Sequence, residues 1–307
     1  MTKSEPYLDA ATLALLKAVA KVAAELDMAW MVTGAAGRVL LLEGVYGLPQ
    51  GRATRDVDLG IMVASWDRYR ALVDRLRRDD RFQPDPKQLQ RLRFGDEGLL
   101  DLVPFGGIES ADRTIHWPPD NDFAMSVIGF REAYADTVSV KLGGLNVPVI
   151  SPVGLVLLKL VAWSERHLAQ PRKDAADMAY VLRHYSTILT EQALFDDHFD
   201  AVEASGFDVD LAASRVLGRK IAMLAAQDAR VFVLHLLEEE LQHGTDSLLV
   251  REMTEQGTDH GFLWFTSKTV VCPLLSLRLH IHQARFSFPA NWFYEIFRSF
   301  QSHSPYQ

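Results

Sequence analysis

Apolar and polar residues follow periodic patterns along the first 150 positions that predict both helices and strands. Apolar residues recur at helical spacing between Asp9 and Asp27 and predict an amphipathic helix. Short apolar runs predict one strand starting at Trp30 and another over Asp56–Val63. Ser65 is placed to cap a further helix from Trp66 to about Arg78. This half of the chain therefore mixes helices with strands.

Two hairpins and a short helix complete the predicted pattern of this half. Gln90–Phe94 and Leu99–Val103 flank the turn residues Gly95 to Gly98, and Val138–Leu142 and Leu145–Ile150 flank Gly143-Gly144. We also expect a helix from about Gly37 to Gly44 and a loop from Pro104 to Asp122.

The pattern changes at Ser151-Pro152, where an N-cap residue precedes a proline suited to the first turn of a helix. Helical spacing then dominates, and few strand signals remain. The candidate helices are Val153–Ala169, Lys173–His184, Glu191–Ala204 and Arg219–Gln242, the last interrupted near Gln227. Strands followed by helices predict the α+β class.

The last segment has an unusual composition. No acidic residue occurs from His260 to Tyr294, and aromatic residues are dense there. Two interpretations stay open: an apolar element packed on the helical region, or a read-through or frame-shifted tail that was not selected for this fold. Lys268, Arg278 and Pro273 argue against a membrane span.

Composition narrows the classes of function. The net charge of −8 does not indicate binding to nucleic acid through the overall field, although Arg68 to Arg93 is locally rich in arginine. The single cysteine, Cys272, excludes a disulfide framework and a cysteine-based zinc site. The N-terminus lacks the apolar core of a signal peptide, and no clean 18-residue apolar run occurs, so we expect a cytoplasmic protein with no membrane association.

Three aspartates form the first chemical pattern. Asp56 and Asp58 project to one face of their predicted strand because side chains alternate along a strand. Asp101 lies inside an apolar hairpin arm, where an acid needs a partner or a cation. Mg²⁺ prefers such oxygen ligands and is usually held by carboxylates together with substrate phosphates. Acids on two neighbouring strands suit a pair of metal ions.

A turn of small residues, Thr33-Gly34-Ala35-Ala36, precedes the predicted helix. Backbone N–H groups at such a turn can accept a phosphate, and small side chains permit close approach. Arg38 and Arg55 are candidates for contacts with phosphate oxygens. The alternative is that both are ordinary surface arginines.

The second chemical pattern lies on the helix that contains Lys159 and Arg166. These residues are seven positions apart and share one helix face. Lys159 is flanked by leucines, so the alternative to a functional role is a lysine that only snorkels to the surface. Asp174 opens the next helix, where an acid in the first turn needs no functional role.

The combination resembles the DNA polymerase β-like nucleotidyltransferase superfamily, in particular the AbiEii/AbiGii-type toxin branch. The residues that carry the resemblance are Thr33-Gly34-Ala35-Ala36, Asp56-Val57-Asp58, Asp101 to Gly106, Lys159 to Arg166 and Asp174. The resemblance covers about Trp30 to Tyr185. It implies three parts: a nucleotidyltransferase domain at 1–150, a helical domain at 151–250 that completes the nucleotide cleft, and a tail of uncertain status at 251–307.

The resemblance also implies a reaction and a set of roles. A nucleoside monophosphate would be transferred from an NTP with the help of Mg²⁺, as two ions, or of Mn²⁺. Asp56, Asp58 and Asp101 would hold the metals, and Lys159 would neutralise phosphate charge. A further set of residues would bind the nucleotide: Thr33, Gly34, Ala35, Arg38, Arg55, Arg166 and Asp174. Within this set, Arg166 would either orient the triphosphate or hold Asp174. The implied partners are an NTP, a tRNA whose 3′ end accepts the nucleotide, and an antitoxin.

One departure from the family pattern bears on activity. Members of the superfamily usually carry a serine or threonine after the glycine of the turn, whereas Ala35 and Ala36 follow Gly34 here. The phosphate-binding hydroxyl is missing unless Thr33 replaces it. The missing hydroxyl favours one alternative, a degenerate non-catalytic nucleotide-binding module. Two others stay open: transfer of AMP to a protein, which would use the same site, and a sugar-nucleotide glycosyltransferase, in which a D-x-D pair also holds a metal.

Overall fold

The computed structural model describes residues 9–51, 54, 56–243 and 246–254. The chain divides into two compact units, Met1–Leu158 and Lys159–Gln307. The division falls inside a helix, Pro152–Arg166, whereas the sequence pattern placed a boundary just before it. Arg55 and nearly all of the predicted tail lie outside the described residues.

The first unit is built around a mixed seven-stranded sheet in the order β3-β4-β5-β2-β1-β9-β8. Its elements are α1 (Ala10–Glu25), β1 (Trp30–Thr33), α2 (Gly34–Arg38), β2 (Asp56–Val63), α3 (Trp66–Leu76), β3 (Phe82–Pro84), β4 (Arg91–Phe94), β5 (Gly98–Gly106), β6 (Thr114–His116), β7 (Ala124–Ser126), α4 (Phe130–Ala135), β8 (Val138–Leu142), β9 (Leu145–Val149) and α5 (Pro152–Arg166). β2 pairs with β5, and β1 with β9, in parallel; the other neighbours in this sheet are antiparallel.

Helix caps account for three of the predicted helix starts. The carboxylate of Asp9 accepts a hydrogen bond from the Thr12 amide at 2.8 Å and begins α1. The hydroxyls of Ser65 and Ser151 do the same for α3 and α5, at 3.3 and 2.9 Å. The apolar faces of α1 and α3 supply buried leucines to the core. These starts, and the strand over Asp56–Val63, are confirmed.

The region after β1 differs from the prediction. The helix begins at once at Gly34 and continues from Val39 to Val45 as a π-helix, so its start lies three residues before the predicted one. Gly34 has a φ of +60°, which favours glycine because a side chain is strained there. π-Helical turns are uncommon and often lie near functional sites.

The first hairpin has a different register from the predicted one. Phe94 pairs with Gly98, so three residues form the loop instead of the four from Gly95 to Gly98. β5 also extends to Gly106, into the stretch from Pro104 to Asp122 that was expected to be loop. β6 lies within that stretch and pairs with β7, which follows it, in a small separate sheet. The second predicted hairpin is confirmed as β8 and β9.

The second unit is helical throughout its described part. After the end of α5 it contains α6 (Lys173–Leu189), α7 (Glu191–Asp197), α8 (Phe199–Ala204), α9 (Val209–Leu224), α10 (Gln227–Gln242) and α11 (Leu248–Thr254). The predicted break near Gln227 is confirmed. Two expectations were wrong: α9 begins ten residues before Arg219, and the helix expected over Glu191–Ala204 is interrupted at His198.

The sheet with its flanking helices and the helical second unit confirm the α+β class. Among the helices in the described part of the chain, none combines the length and the apolar character needed to cross a bilayer.

Candidate active site

The three aspartates come together on the two central parallel strands of the sheet. Asp58 on β2 lies directly opposite Asp101 on β5. Asp56 is two residues before Asp58 and projects to the same face of β2. Two acids from one strand and a third from its neighbour is the arrangement that the sequence predicted. Their roles as metal ligands stay a prediction.

Arg91 on β4 supplies a positive charge to these acids and was not among the site residues predicted from the sequence. Its Nε and Nη2 donate to the two carboxylate oxygens of Asp101 at 2.6 and 2.7 Å. Nη2 also lies 3.5 Å from Oδ2 of Asp56. The hydrogen bonds to Asp101 raise the pKa of Arg91 above its usual value, and the charges of Asp101, Asp56 and Asp58 act in the same direction. All three carboxylates therefore act on one guanidinium.

The register of the hairpin explains why Arg91 was missed. A four-residue loop would place Leu92 opposite Asp101 and turn Arg91 to the other face. The observed three-residue loop places Arg91 opposite Asp101. A shift of one residue exchanges the two faces of a strand.

The glycine turn lies against Asp58. Thr33 is the strand partner of Asp58 in the β1–β2 ladder. A Cβ atom added to Gly34 would overlap Oδ2 of Asp58, so the carboxylate fills the space beside the glycine. Ala35, the next residue of the turn, is buried. Nucleotide binding by Thr33, Gly34 and Ala35 stays a prediction.

The two arginines predicted for phosphate contacts have different outcomes. Arg38 is only 1% exposed, and its Nη1 lies 2.5 Å from Oε1 of Glu43. Glu43 also accepts a hydrogen bond from the Gly51 amide. Arg38 is therefore not the surface arginine of the alternative interpretation. Its partner, Glu43, lies in the π-helix. Arg55 lies outside the described residues.

A cavity of 440 Å³ opens beside Asp56. Its walls are mostly apolar and come from α1, the helix after β1 and the β4–β5 hairpin, with Leu15, Val39 and Phe94 among them. Small-ligand pockets span about 300–1,000 Å³. The cavity is therefore large enough for a group of nucleobase size next to one of the acids.

The predicted lysine–arginine helix carries a buried ion network in the second unit. Lys159 is 5% exposed, and its Nζ lies 2.8 Å from Asp174 and 2.7 Å from Asp177. Burial opposes the charge on Lys159, but the carboxylates of Asp177 and Asp174 outweigh it and raise the pKa. Asp177 was not predicted from the sequence, although it lies one helical turn after Asp174 and shares its helix face.

Arg166 completes this network. Its Nε and Nη2 donate to the two oxygens of Asp174, each at 2.7 Å. Burial opposes ionisation of Asp174, but the Arg166 hydrogen bonds and the charges of Lys159 and Arg166 lower its pKa to about 2. Holding Asp174 was one of the two predicted roles of Arg166. Asp174 thus has two cationic partners, Lys159 and Arg166, and a functional role for it stays a prediction.

The residues at the sheet fit a divalent metal by their chemistry. Carboxylate oxygens are the ligands that Mg²⁺ prefers, and the carboxylates of Asp101 and Asp56 both contact one cationic group, the Arg91 guanidinium. In the part of the chain that the structure describes, no set of three or more Asp, Glu, His or Cys side chains is grouped closely enough to hold a metal. The metal site at Asp56, Asp58 and Asp101 stays a prediction.

The paired acids of β2 and β5 beside a glycine turn are typical of a nucleotidyltransferase. The family of nucleotidyl transferase AbiEii toxins, which belong to type IV toxin–antitoxin systems, matches residues 40–256. This match spans well over half of the chain, and the chain belongs to that family. It extends beyond the predicted limit at Tyr185 and includes the described helices of the second unit, α6 to α11.

The solved structures that the chain resembles include the following two. One is ANT(2″)-Ia in complex with adenylyl-2″-tobramycin, at 14% identity over 60% of this chain and 92% of that chain, with a TM-score of 0.39. The other is an antigenic nucleotidyltransferase-like protein from Paracoccidioides brasiliensis, at 17% identity over 68% and 94%, with a TM-score of 0.41. A comparison with curated protein sequences found no match.

Family membership makes the chain a nucleotidyltransferase, of enzyme class EC 2.7.7, and a toxin of a type IV toxin–antitoxin system. It implies a nucleotide substrate, a divalent metal and an antitoxin. It favours nucleotidyl transfer over the glycosyltransferase alternative.

Proposed function

We propose that this chain transfers a nucleoside monophosphate from an NTP to the 3′-terminal hydroxyl of an RNA such as tRNA, with Mg²⁺ as cofactor. The observation that carries the proposal is the register that sets Asp58 opposite Asp101, with Asp56 on the same face and Gly34 against Asp58. This arrangement gathers negative charge where a metal–triphosphate would bind.

In the proposed reaction, the acceptor oxygen bonds to the α-phosphorus of the NTP, and the bond from that phosphorus to the bridging oxygen breaks. Pyrophosphate leaves, and the acceptor hydroxyl loses its proton. Asp56, Asp58 and Asp101 would hold the cofactor, and Asp101 would help to activate the acceptor hydroxyl by accepting that proton. Bound Mg²⁺ would supply the positive charge that stabilises both the attacking and the leaving oxygen.

Lys159, Arg166 and Asp174 take a supporting part in the proposal. Lys159 already lies between two carboxylates, and Arg166 holds Asp174 by two hydrogen bonds. These contacts favour a role for Asp174 in orienting Lys159 and Arg166. Neutralisation of phosphate charge by Lys159 stays a prediction that a Lys159→Met variant can address.

The support for an RNA acceptor is the resemblance to the toxin branch. Local charge adds little, because several arginines of the Arg68–Arg93 segment pair with acids: Arg75 with Glu25, Arg81 with Asp79, and Arg93 with Asp85. Transfer of AMP to a protein uses the same acids and differs only in the acceptor.

An acceptor assay separates these alternatives. The protein is incubated with Mg²⁺ and each of the four α-labelled NTPs, in the presence of either purified tRNA or lysate protein. Label in a tRNA band supports the proposal, and label in protein bands alone supports protein nucleotidylation. A wild type that neither turns over any NTP nor binds Mg²⁺·NTP by calorimetry would indicate a non-catalytic module.

A further inference from the structure

Arg91 occupies the oxygens that a metal would need. Its guanidinium contacts both oxygens of Asp101 and reaches Asp56. The side chains of Arg91 and Asp101 are only 17% and 13% exposed, so water screens their attraction weakly. A bidentate arginine–carboxylate pair of this kind is among the strong hydrogen-bonded contacts in proteins.

We propose that Arg91 is a built-in competitor of the divalent metal at the Asp56, Asp58 and Asp101 site. A metal ion and a guanidinium repel each other, and they require the same carboxylate oxygens of Asp101. A metal ion that binds Asp101 must therefore break the hydrogen bonds between Arg91 and Asp101. For that reason the affinity of the site for the metal is lower than it would be with the three acids alone. This inference rests on the proposed metal site.

Arg91 has a second effect in the protein without metal. Three carboxylates on adjacent strands repel one another when no cation lies among them. Arg91 supplies the counter-charge, because its guanidinium contacts both oxygens of Asp101 and lies 3.5 Å from Oδ2 of Asp56. The same arginine thus stabilises the metal-free fold and weakens metal binding.

The strand itself offers a matched control. Arg93 lies two residues along β4, and its Nε is 3.0 Å from Oδ2 of Asp85. The Arg93 side chain is 54% exposed. Arg93→Met removes the same charge and the same side-chain length as Arg91→Met but leaves the Asp101 contacts intact.

The test is Mn²⁺ binding to the full chain, measured by calorimetry or by the electron paramagnetic resonance of free Mn²⁺. We expect Arg91→Met to bind Mn²⁺ roughly tenfold to a hundredfold more tightly than the wild type, because a strong charged pair no longer competes. Arg91→Lys keeps the charge but loses the bidentate contact, so we expect an intermediate gain of about threefold. Arg93→Met should stay within about twofold of the wild type.

A thermal readout accompanies the binding measurement. In EDTA, Arg91→Met should melt below the wild type, and Mn²⁺ should raise its melting temperature by more than it raises that of the wild type. If Arg91→Met does not fold, the Mn²⁺ affinity of Arg91→Lys is compared with that of the wild type instead. Unchanged or weaker Mn²⁺ binding in the folded Arg91 variants would overturn the inference, because Arg91 would then hold Asp101 in place for the metal.

A separate variant distinguishes failure of this inference from failure of the proposed function. Asp58→Asn should abolish Mn²⁺ binding, whereas Asp74→Asn, an exposed acid on α3, should not. Equal binding by the wild type and Asp58→Asn would place the metal elsewhere and contradict the proposed function itself. Loss of binding in Asp58→Asn with no gain in the Arg91 variants would contradict the inference alone.

Discussion

At the scale of a single residue, two features of the structure favour glycine at position 34. Its backbone has a φ of +60°, and its α-carbon lies against the carboxylate of Asp58. Gly47 offers a comparison, because it has a φ of +69° and nothing within 4 Å of an added Cβ. The two glycines therefore separate backbone strain from crowding at the acid.

We expect Gly34→Ala to be more destabilising than Gly47→Ala. Both variants incur the left-handed backbone strain of about 1–2 kcal/mol. Gly34→Ala must also displace the Asp58 carboxylate, which adds roughly 1–3 kcal/mol. Urea unfolding followed by circular dichroism measures the difference, and equal losses in the two variants would contradict the contact with Asp58.

The acids and the arginine differ in how far the sequence could predict them. Asp56 and Asp58 share a face because strand periodicity is two, and Asp101 stands out as an acid in an apolar arm. Arg91 depends on the hairpin register, which the choice between a three-residue and a four-residue loop decides. Both loop lengths are common in hairpins, so local sequence leaves the choice open.

At the scale of elements, α5 and α6 are joined by the buried charges of Lys159, Arg166, Asp174 and Asp177. Removing one partner of such a cluster leaves an uncompensated charge in the interior and costs about 3–5 kcal/mol. We expect Asp174→Asn to show this loss in urea unfolding at pH 7. Asp196→Asn, an exposed acid on α7, should change the free energy of unfolding by less than about 0.5 kcal/mol.

The effect of Asp174→Asn should depend on pH. The pKa of Asp174 is lowered from 3.8 to about 2 in the folded chain. A lowered carboxyl pKa contributes stability that is present above the unfolded value and is lost as pH falls toward the folded value. The gap between wild type and variant should therefore be constant from about pH 7 to pH 5 and shrink below about pH 4. A gap that shrinks near pH 6 would assign the effect to another group.

Element boundaries follow local signals where a cap or a proline marks them. Asp9, Ser65 and Ser151 have side chains that satisfy helix N–H groups, and their helices begin where the sequence predicts. The π-helix after Arg38 and the parallel pairing of β2 with β5 have no local signal. Such features depend on tertiary packing and cannot be predicted from the local pattern of apolar and polar residues.

At the scale of the whole molecule, the family match ends at residue 256, just after α11. α11 is fixed within its unit, because Glu252 accepts hydrogen bonds from Trp163 Nε1 at 2.8 Å and from the Arg172 amide at 3.1 Å. The sequence left two interpretations of the segment that follows: an apolar element packed on the helical region, or a read-through or frame-shifted tail. Truncation can therefore test which of them is right.

We expect a chain ending at residue 256 to keep the melting temperature and the nucleotidyltransferase activity of the full chain. A chain ending at residue 246 should melt lower, because it loses the buried Leu249 and Met253 together with Glu252. Differential scanning calorimetry of the three lengths measures this. Unfolding of the 256-residue form would show that the remaining segment is native to the fold.

The most direct test of the central claim compares nucleotide incorporation by the wild type with that of Asp56→Asn, Asp58→Asn and Asp101→Asn, using α-labelled NTPs, Mg²⁺ and a common acceptor. Asp74→Asn controls for the loss of one negative charge. We expect each of the three variants to lose at least about a hundredfold in rate, because each removes a carboxylate from the reacting centre, while Asp74→Asn keeps wild-type activity. Wild-type rates in any of the three would contradict the assignment of these acids as the active site.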